Sequence, residues 1–140
     1  MKKVVPVKVK MLSKMTQDGE TANFTFEEDG QLATVGDKHY LRYTEHQHGI
    51  ETPVQFRLDD QQVHLLRSGD VETRFVFDED AATTSRYQTA YGPIDLRVIT
   101  KRLAKKVDWE DARGSLEVEY DLHSSGMLVG SYQVSLQFYR

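Results

Sequence analysis

Cysteine is missing from the chain altogether. Its absence excludes disulfides, thiolate metal sites and a cysteine nucleophile, and it suits a reducing cytoplasm, the location expected here. Long apolar runs are missing too, so no segment is expected to span a membrane. The opening Met-Lys-Lys-Val-Val-Pro-Val-Lys-Val-Lys starts like a signal peptide, but it alternates charge with valine and no apolar h-region follows. A basic surplus is also lacking. The formal net charge is -4 and the pI is near 5.7, which argues against a nucleic-acid partner, since such partners need a basic surface. There is no internal repeat, low-complexity tract or linker, so the 140 residues read as one domain, 1–140, long enough to bury roughly two-thirds of its unfolded surface.

What the chain does have is a period of two. Val5, Val7, Val9 and Met11 share a face, with Lys8 and Lys10 opposite. Pro6 lacks an amide donor and marks an edge or a break in that strand. Asp18-Gly19 signals a hairpin, Phe24 and Phe26 follow, and Asp29-Gly30 reads as the end of their strand. After Gly36-Asp37 come His39, Leu41, Tyr43 and Glu45 on one face. Val54, Phe56 and Leu58 form another set, and Val63, Leu65 and Arg67 a third. Ser68-Gly69-Asp70 turns the chain into Thr73, Phe75 and Phe77, and Asp78-Glu79-Asp80 makes an acidic turn. Ser85, Tyr87, Thr89 and Tyr91 lie on one parity before a Gly92-Pro93 corner. Ile94, Leu96, Val98 and Thr100 then share a face. Lys101 to Arg113 is charged and less periodic, open to strand, short helix or loop, with Trp109 as a plug. Leu116, Val118, Tyr120 and Leu122 alternate cleanly, as do Tyr132, Val134, Leu136 and Phe138. Val129 has the wrong parity for the last set, which predicts a β-bulge near Gly130.

About ten strands separated by turn residues imply an all-β, antiparallel protein. Their sequential, up-and-down arrangement favours a barrel, because closure removes exposed edges.

Several polar residues fall on these otherwise apolar faces: Glu45 after Tyr43, Arg67 after Leu65, Thr89 and Tyr91 after Tyr87, and Thr100 after Val98. A charge on an inner face needs a partner, since an unpaired one costs several kcal/mol. Three readings fit. Glu45 and Arg67 form a structural pair completed by hydroxyls; or the group is the polar floor of a ligand pocket; or the residues sit at strand ends and reach water. Tyr43, Glu45, Arg67, Thr89, Tyr91 and Thr100 are the candidate ligand-binding residues, and the first reading predicts Glu45 and Arg67 close to Tyr91 and Thr100.

Other patterns carry less. His46-x-His48 has chelating spacing without a third ligand and reads as a solvated loop. Ser124 and Ser125 are turn residues, and Asp78-Glu79-Asp80 lacks calcium-loop spacing. Glu117 and Glu119 point outward as solubilising surface rather than as a glycosidase pair. No catalytic residue, metal site or cofactor emerges from the sequence.

Tyr43-Thr44-Glu45, Leu66-Arg67-Ser68-Gly69, Thr89-Ala90-Tyr91-Gly92-Pro93-Ile94, Thr100 and Gly114-Ser115-Leu116 with Tyr120-Asp121-Leu122, taken in this order and spacing, resemble the YwiB-like proteins, a family of unknown function found mainly in Gram-positive bacteria. The resemblance covers nearly the whole chain; Ala90 stands where the family's form has proline. It implies a calycin-like barrel of about eight to ten strands, related in architecture to lipocalins, and no known activity, cofactor or catalytic residue. Three functions follow as expectations: a barrel holding a small, partly apolar ligand; an enzyme using Glu45 as acid or base with Arg67 holding an anion; and an interaction protein whose barrel is solid.

Overall fold

The computed structural model describes residues 2–47, 49–69 and 72–140. The period-two pattern builds ten antiparallel strands: β1 (Lys2–Gln17), β2 (Glu20–Val35), β3 (Lys38–Gln47), β4 (Ile50–Leu58), β5 (Val63–Ser68), β6 (Glu72–Phe77), β7 (Thr83–Thr89), β8 (Gly92–Asp108), β9 (Arg113–Ser124) and β10 (Met127–Tyr139). They form one sheet in the order β6-β5-β4-β3-β2-β1-β10-β9-β8-β7, curled into a nearly closed barrel. β1 pairs with β10, so the seam falls between β6 and β7, which are consecutive in sequence. Side chains close it. Thr83 Oγ1 donates to the Val76 carbonyl at 2.6 Å, the Asp78 amide donates to Thr100 Oγ1 at 3.2 Å, and Phe75 and Phe77 pack on Tyr120 of β9.

The turns follow their residues. Asp18 and Gly19, with φ of 53° and 77°, make the two-residue hairpin that pairs Gln17 with Glu20. Val35 pairs with Lys38 across Gly36-Asp37. Pro6 lies where β1 has only β2 as a neighbour, because the β10 ladder starts at Lys8. Asp70, the last residue of the Ser68-Gly69-Asp70 turn, lies outside the described residues.

One expectation is corrected. Asp29-Gly30 does not end a strand; β2 runs through it to Val35. The glycine is there for space. A Cβ on Gly30 would sit 2.6 Å from the Arg42 carbonyl oxygen and 2.9 Å from Val9 Cγ2, where β3 begins to pair with β2. Of the alternatives open for Lys101–Arg113, strand is the one found for most of it: β8 continues to Asp108, and a turn over 109–112 leads into β9. Its periodicity is broken by a bulge. Thr100 pairs with Tyr120 and Arg102 with Glu119, so Lys101 drops out of the ladder and the inward set changes from Leu96, Val98 and Thr100 to Leu103 and Val107. Trp109 stacks on His39 of β3, with ring centroids 3.7 Å apart and planes 13° from parallel, and packs against the core.

The bulge expected near Gly130 is present. Leu128 pairs with His123 and Gly130 with Leu122, leaving Val129 out of the ladder, and Val129 and Tyr132 both pack against the core. The interior is filled along much of its length by residues including Val9, Leu41, Val63, Phe77, Leu116, Leu136 and Phe138, all essentially inaccessible. Each such side chain contributes about 1.5–3 kcal/mol on burial.

Candidate functional site

The alternation that fills the core carries two charges onto the same inner surface. Leu41, Tyr43 and Glu45 point inward from β3, and Leu65 and Arg67 from β5. β4 lies between them. Val54 pairs with Tyr43 on one side and with Arg67 on the other, so the three residues form a row across the sheet. Arg67 reaches over this row to Glu45, with Nη2 2.5 Å from Oε2. The pair sits at an opening of the barrel: the Glu45 side chain is 12% exposed and that of Arg67 42%.

A cavity of about 110 Å³ lies against this pair, inside the barrel. Glu45, Arg67, Tyr43 and Ser13 supply polar groups. Met11, Val54, Phe56, Leu65, Phe77, Val118 and Val134 supply apolar wall, and Tyr120 closes one side. Tyr43 is held between Phe26 and Phe56, with ring centroids at 5.5 and 6.4 Å. Its hydroxyl and the Arg67 Nε are buried and have no hydrogen-bond partner among the described residues. Burial holds the Tyr43 phenol far above its ordinary range; Glu45 adds to the shift and Arg67 opposes it. Burial raises Tyr120 likewise, with Tyr132 adding to the shift and Arg67 opposing it. Both rings therefore stay protonated at neutral pH, and the Tyr43 hydroxyl is a hydrogen-bond donor without an acceptor among the described residues. Larger depressions of about 340, 570 and 530 Å³ occur on the outer surface, lined by strand-face residues such as Arg42 and Gln55, Lys106 and Arg113, and Lys10 and Thr25.

The other candidates sit elsewhere. Thr100 is buried, but its hydroxyl accepts the Asp78 amide at the seam. Tyr91 is fully exposed. Thr89 pairs with Gly92, which makes Ala90 and Tyr91 the two turn residues of the β7–β8 hairpin, so the parity shared with Tyr87 stops before Tyr91. The same register places the corner at Ala90-Tyr91 and Pro93 within β8, paired with Gln88. Glu45 and Arg67 thus meet as expected, without Tyr91 and Thr100 beside them. The backbone of Thr89 ends β7, while its side chain lies outside the described set. His48 is also outside the described residues, and His46 contacts Glu28 at 3.2 Å and Glu51 at 3.5 Å. Among the described residues, no group of three or more His, Cys, Asp or Glu side chains is placed to hold a metal ion. No helix among them is long and apolar enough to cross a membrane.

Met11, Ser13 and Tyr120 were not among the candidates. Ser13 carried the same mark as Glu45, a polar residue continuing an apolar parity, here that of Val7, Val9 and Met11. Tyr120 did not stand out because an inward tyrosine in an apolar strand looks like ordinary core.

The family described as a domain of unknown function, DUF1934, matches residues 9–136. The chain belongs to the DUF1934 family. Within it the chain is similar to YwiB of Bacillus subtilis (strain 168), described as an uncharacterized β-barrel protein. The two are 26% identical over 123 residues, which cover 88% of this chain and 85% of YwiB. The crystal structure of the Bacillus subtilis YwiB protein matches the fold with a TM-score of 0.82, over 97% of this chain and 92% of that one, at 22% identity. Every residue lining the interior cavity lies within the DUF1934 span.

Proposed function

We propose that this DUF1934 barrel holds a compact, partly apolar small molecule in its interior cavity, as a calycin-like binding protein of the cytoplasm. The observation that carries the reading is the buried Tyr43 hydroxyl, a donor without a partner among the described residues, in a cavity whose wall is otherwise mostly aliphatic and aromatic. Leaving such a group unsatisfied costs about 1–3 kcal/mol, and a ligand acceptor removes that cost. The mixture of apolar wall and few polar groups is that of a small-molecule site. The volume favours a small guest: an apolar cavity of roughly 150 Å³ accommodates benzene. Glu45 is engaged by Arg67, which favours a binding role for the pair over the acid–base role of the enzyme reading.

Native mass spectrometry of the protein purified from its own host tests this. A retained small molecule is expected on the wild type and absent from Val134→Phe, in which the larger ring fills the cavity. A wild-type mass equal to that of the bare chain, in gentle conditions that preserve weak complexes, would count against the reading.

A further inference from the structure

The charge and hydrogen-bonding state of the cavity set the chemistry of its guest. Glu45 and Arg67 face each other at 2.5 Å, so the cavity carries one cation and one anion that offset one another. An ionised guest would add a charge with no counter-ion among the lining residues, and burying an uncompensated charge is strongly unfavourable. The buried polar atoms of the lining without a partner among the described residues are both donors. Among the described residues, the Arg67 guanidinium uses Nη2 on Glu45 and keeps Nε–H unused, and the Tyr43 hydroxyl is unused as well. The two residues flank Val54 in one cross-strand row, both lining the same cavity. A carbonyl oxygen has two lone pairs and no hydrogen of its own. It accepts from both donors at once, and the N–H groups of an amide have the Glu45 carboxylate and the Ser13 hydroxyl of the lining as acceptors.

Resting on the interior-ligand reading above, we propose that the site takes a neutral molecule bearing a carbonyl oxygen, a ketone, aldehyde or amide. Its oxygen accepts from Tyr43 Oη–H and Arg67 Nε–H, and its short aliphatic part lies against Met11, Val134 and Leu65.

Methyl-labelled methionine gives a local readout. Met11 lines the cavity, while Met127 is 74% exposed on β10 and serves as the internal control. The probes are four-carbon compounds of similar shape: butanone, butyramide, butyrate and butylammonium. Butanone and butyramide are expected to shift the Met11 methyl resonance saturably at pH 7 and leave Met127 unmoved, with butyrate and butylammonium binding at least about tenfold more weakly. Tyr43→Phe keeps the ring and removes one donor. Arg67→Lys keeps a cation for Glu45 and removes the Nε–H fork. Each is expected to weaken the neutral probes about tenfold while Trp109 fluorescence confirms an intact fold. Binding of butyrate or butylammonium as tight as that of butanone, or neutral-probe binding unaffected by both variants, overturns the carbonyl assignment and leaves an interior ligand standing. A Met11 resonance unmoved by all four probes overturns the interior-ligand reading itself.

Discussion

Arg67 on β5 reaches past Val54 of β4 to Glu45 on β3, and the two ends of this ion pair are unequally buried, 42% against 12% exposed. The inequality sets the cost of breaking it. Arg67→Met leaves a nearly buried carboxylate without a partner and is expected to destabilise the fold by about 3 kcal/mol. Glu45→Met leaves a guanidinium that can turn to water, and its cost is expected to be about 1 kcal/mol. The double variant replaces both charges with apolar side chains and should recover much of the larger loss, well short of additivity. Urea titrations of the four proteins decide it. Equal single costs, or an additive double variant, would contradict the geometry.

The Tyr43 hydroxyl gives a prediction of opposite sign. It is buried with no partner among the described residues, so removing it relieves a cost. Tyr43→Phe is expected to raise the stability of the ligand-free protein by about 1 kcal/mol. A lower urea midpoint would show that the hydroxyl is bonded in solution. Paired with the weaker probe binding expected of the same variant, a gain in stability would mark a group kept for recognition rather than for the fold.

Gly30 and Gly130 separate backbone constraint from side-chain constraint. A Cβ at Gly30 meets the Arg42 carbonyl oxygen at 2.6 Å, and backbone in the middle of a ladder cannot yield cheaply. The nearest atoms to a Cβ at Gly130 are those of the Tyr132 ring and hydroxyl, at 3.1–3.3 Å, a side chain that can give by a few tenths of an ångström more easily than backbone can. Gly30→Ala is expected to cost about 2–3 kcal/mol and Gly130→Ala under about 1 kcal/mol. Thermal unfolding of the two variants side by side checks the order, and the reverse order would refute it.

The strands were legible because an antiparallel barrel repeats one rule at every residue, inward then outward. Val63-Leu65-Arg67 and Leu116-Val118-Tyr120-Leu122 could be placed by parity alone. The rule also put Glu45 and Arg67 on the same inner surface, since both continue apolar parities, on strands separated only by β4. It failed where parity is reset. Lys101 leaves the ladder and reverses the inward set of β8, which made a strand look aperiodic. The bulge at Val129 was visible only because clean alternation follows it in the same strand. Tyr91 was misplaced because parity does not say where a strand gives way to its turn. Gly30 read as a turn because a glycine needed for close packing and one needed for a turn look alike in sequence. The location of the seam between β6 and β7, and the cavity itself, depend on how distant strands meet, and no local pattern encodes that.

The stack of His39 on Trp109 yields the last prediction. Burial holds the His39 imidazole below its ordinary value and the Lys105 ammonium adds to this, while Asp37 and Asp60 pull weakly the other way. The unfolded chain therefore takes up this proton near pH ~6.5, and the native protein does so only at lower pH. The contribution to stability is fully present above ~6.5 and is lost as pH falls from there to the native pKa, because in that window the unfolded state binds more protons. His64 is shifted the same way, by burial first and then by Arg57, so a falling urea midpoint below ~6.5 carries both residues. Trp109 separates them. It is the sole tryptophan and its ring centroid lies 3.7 Å from that of His39, so protonation of the imidazole should quench its emission. Emission is expected to fall with a midpoint below ~6.5. His39→Gln should abolish that step while leaving part of the stability slope, the part due to His64. A midpoint at or above ~6.5 would mean that cation–π attraction between imidazolium and indole outweighs the burial of the charge.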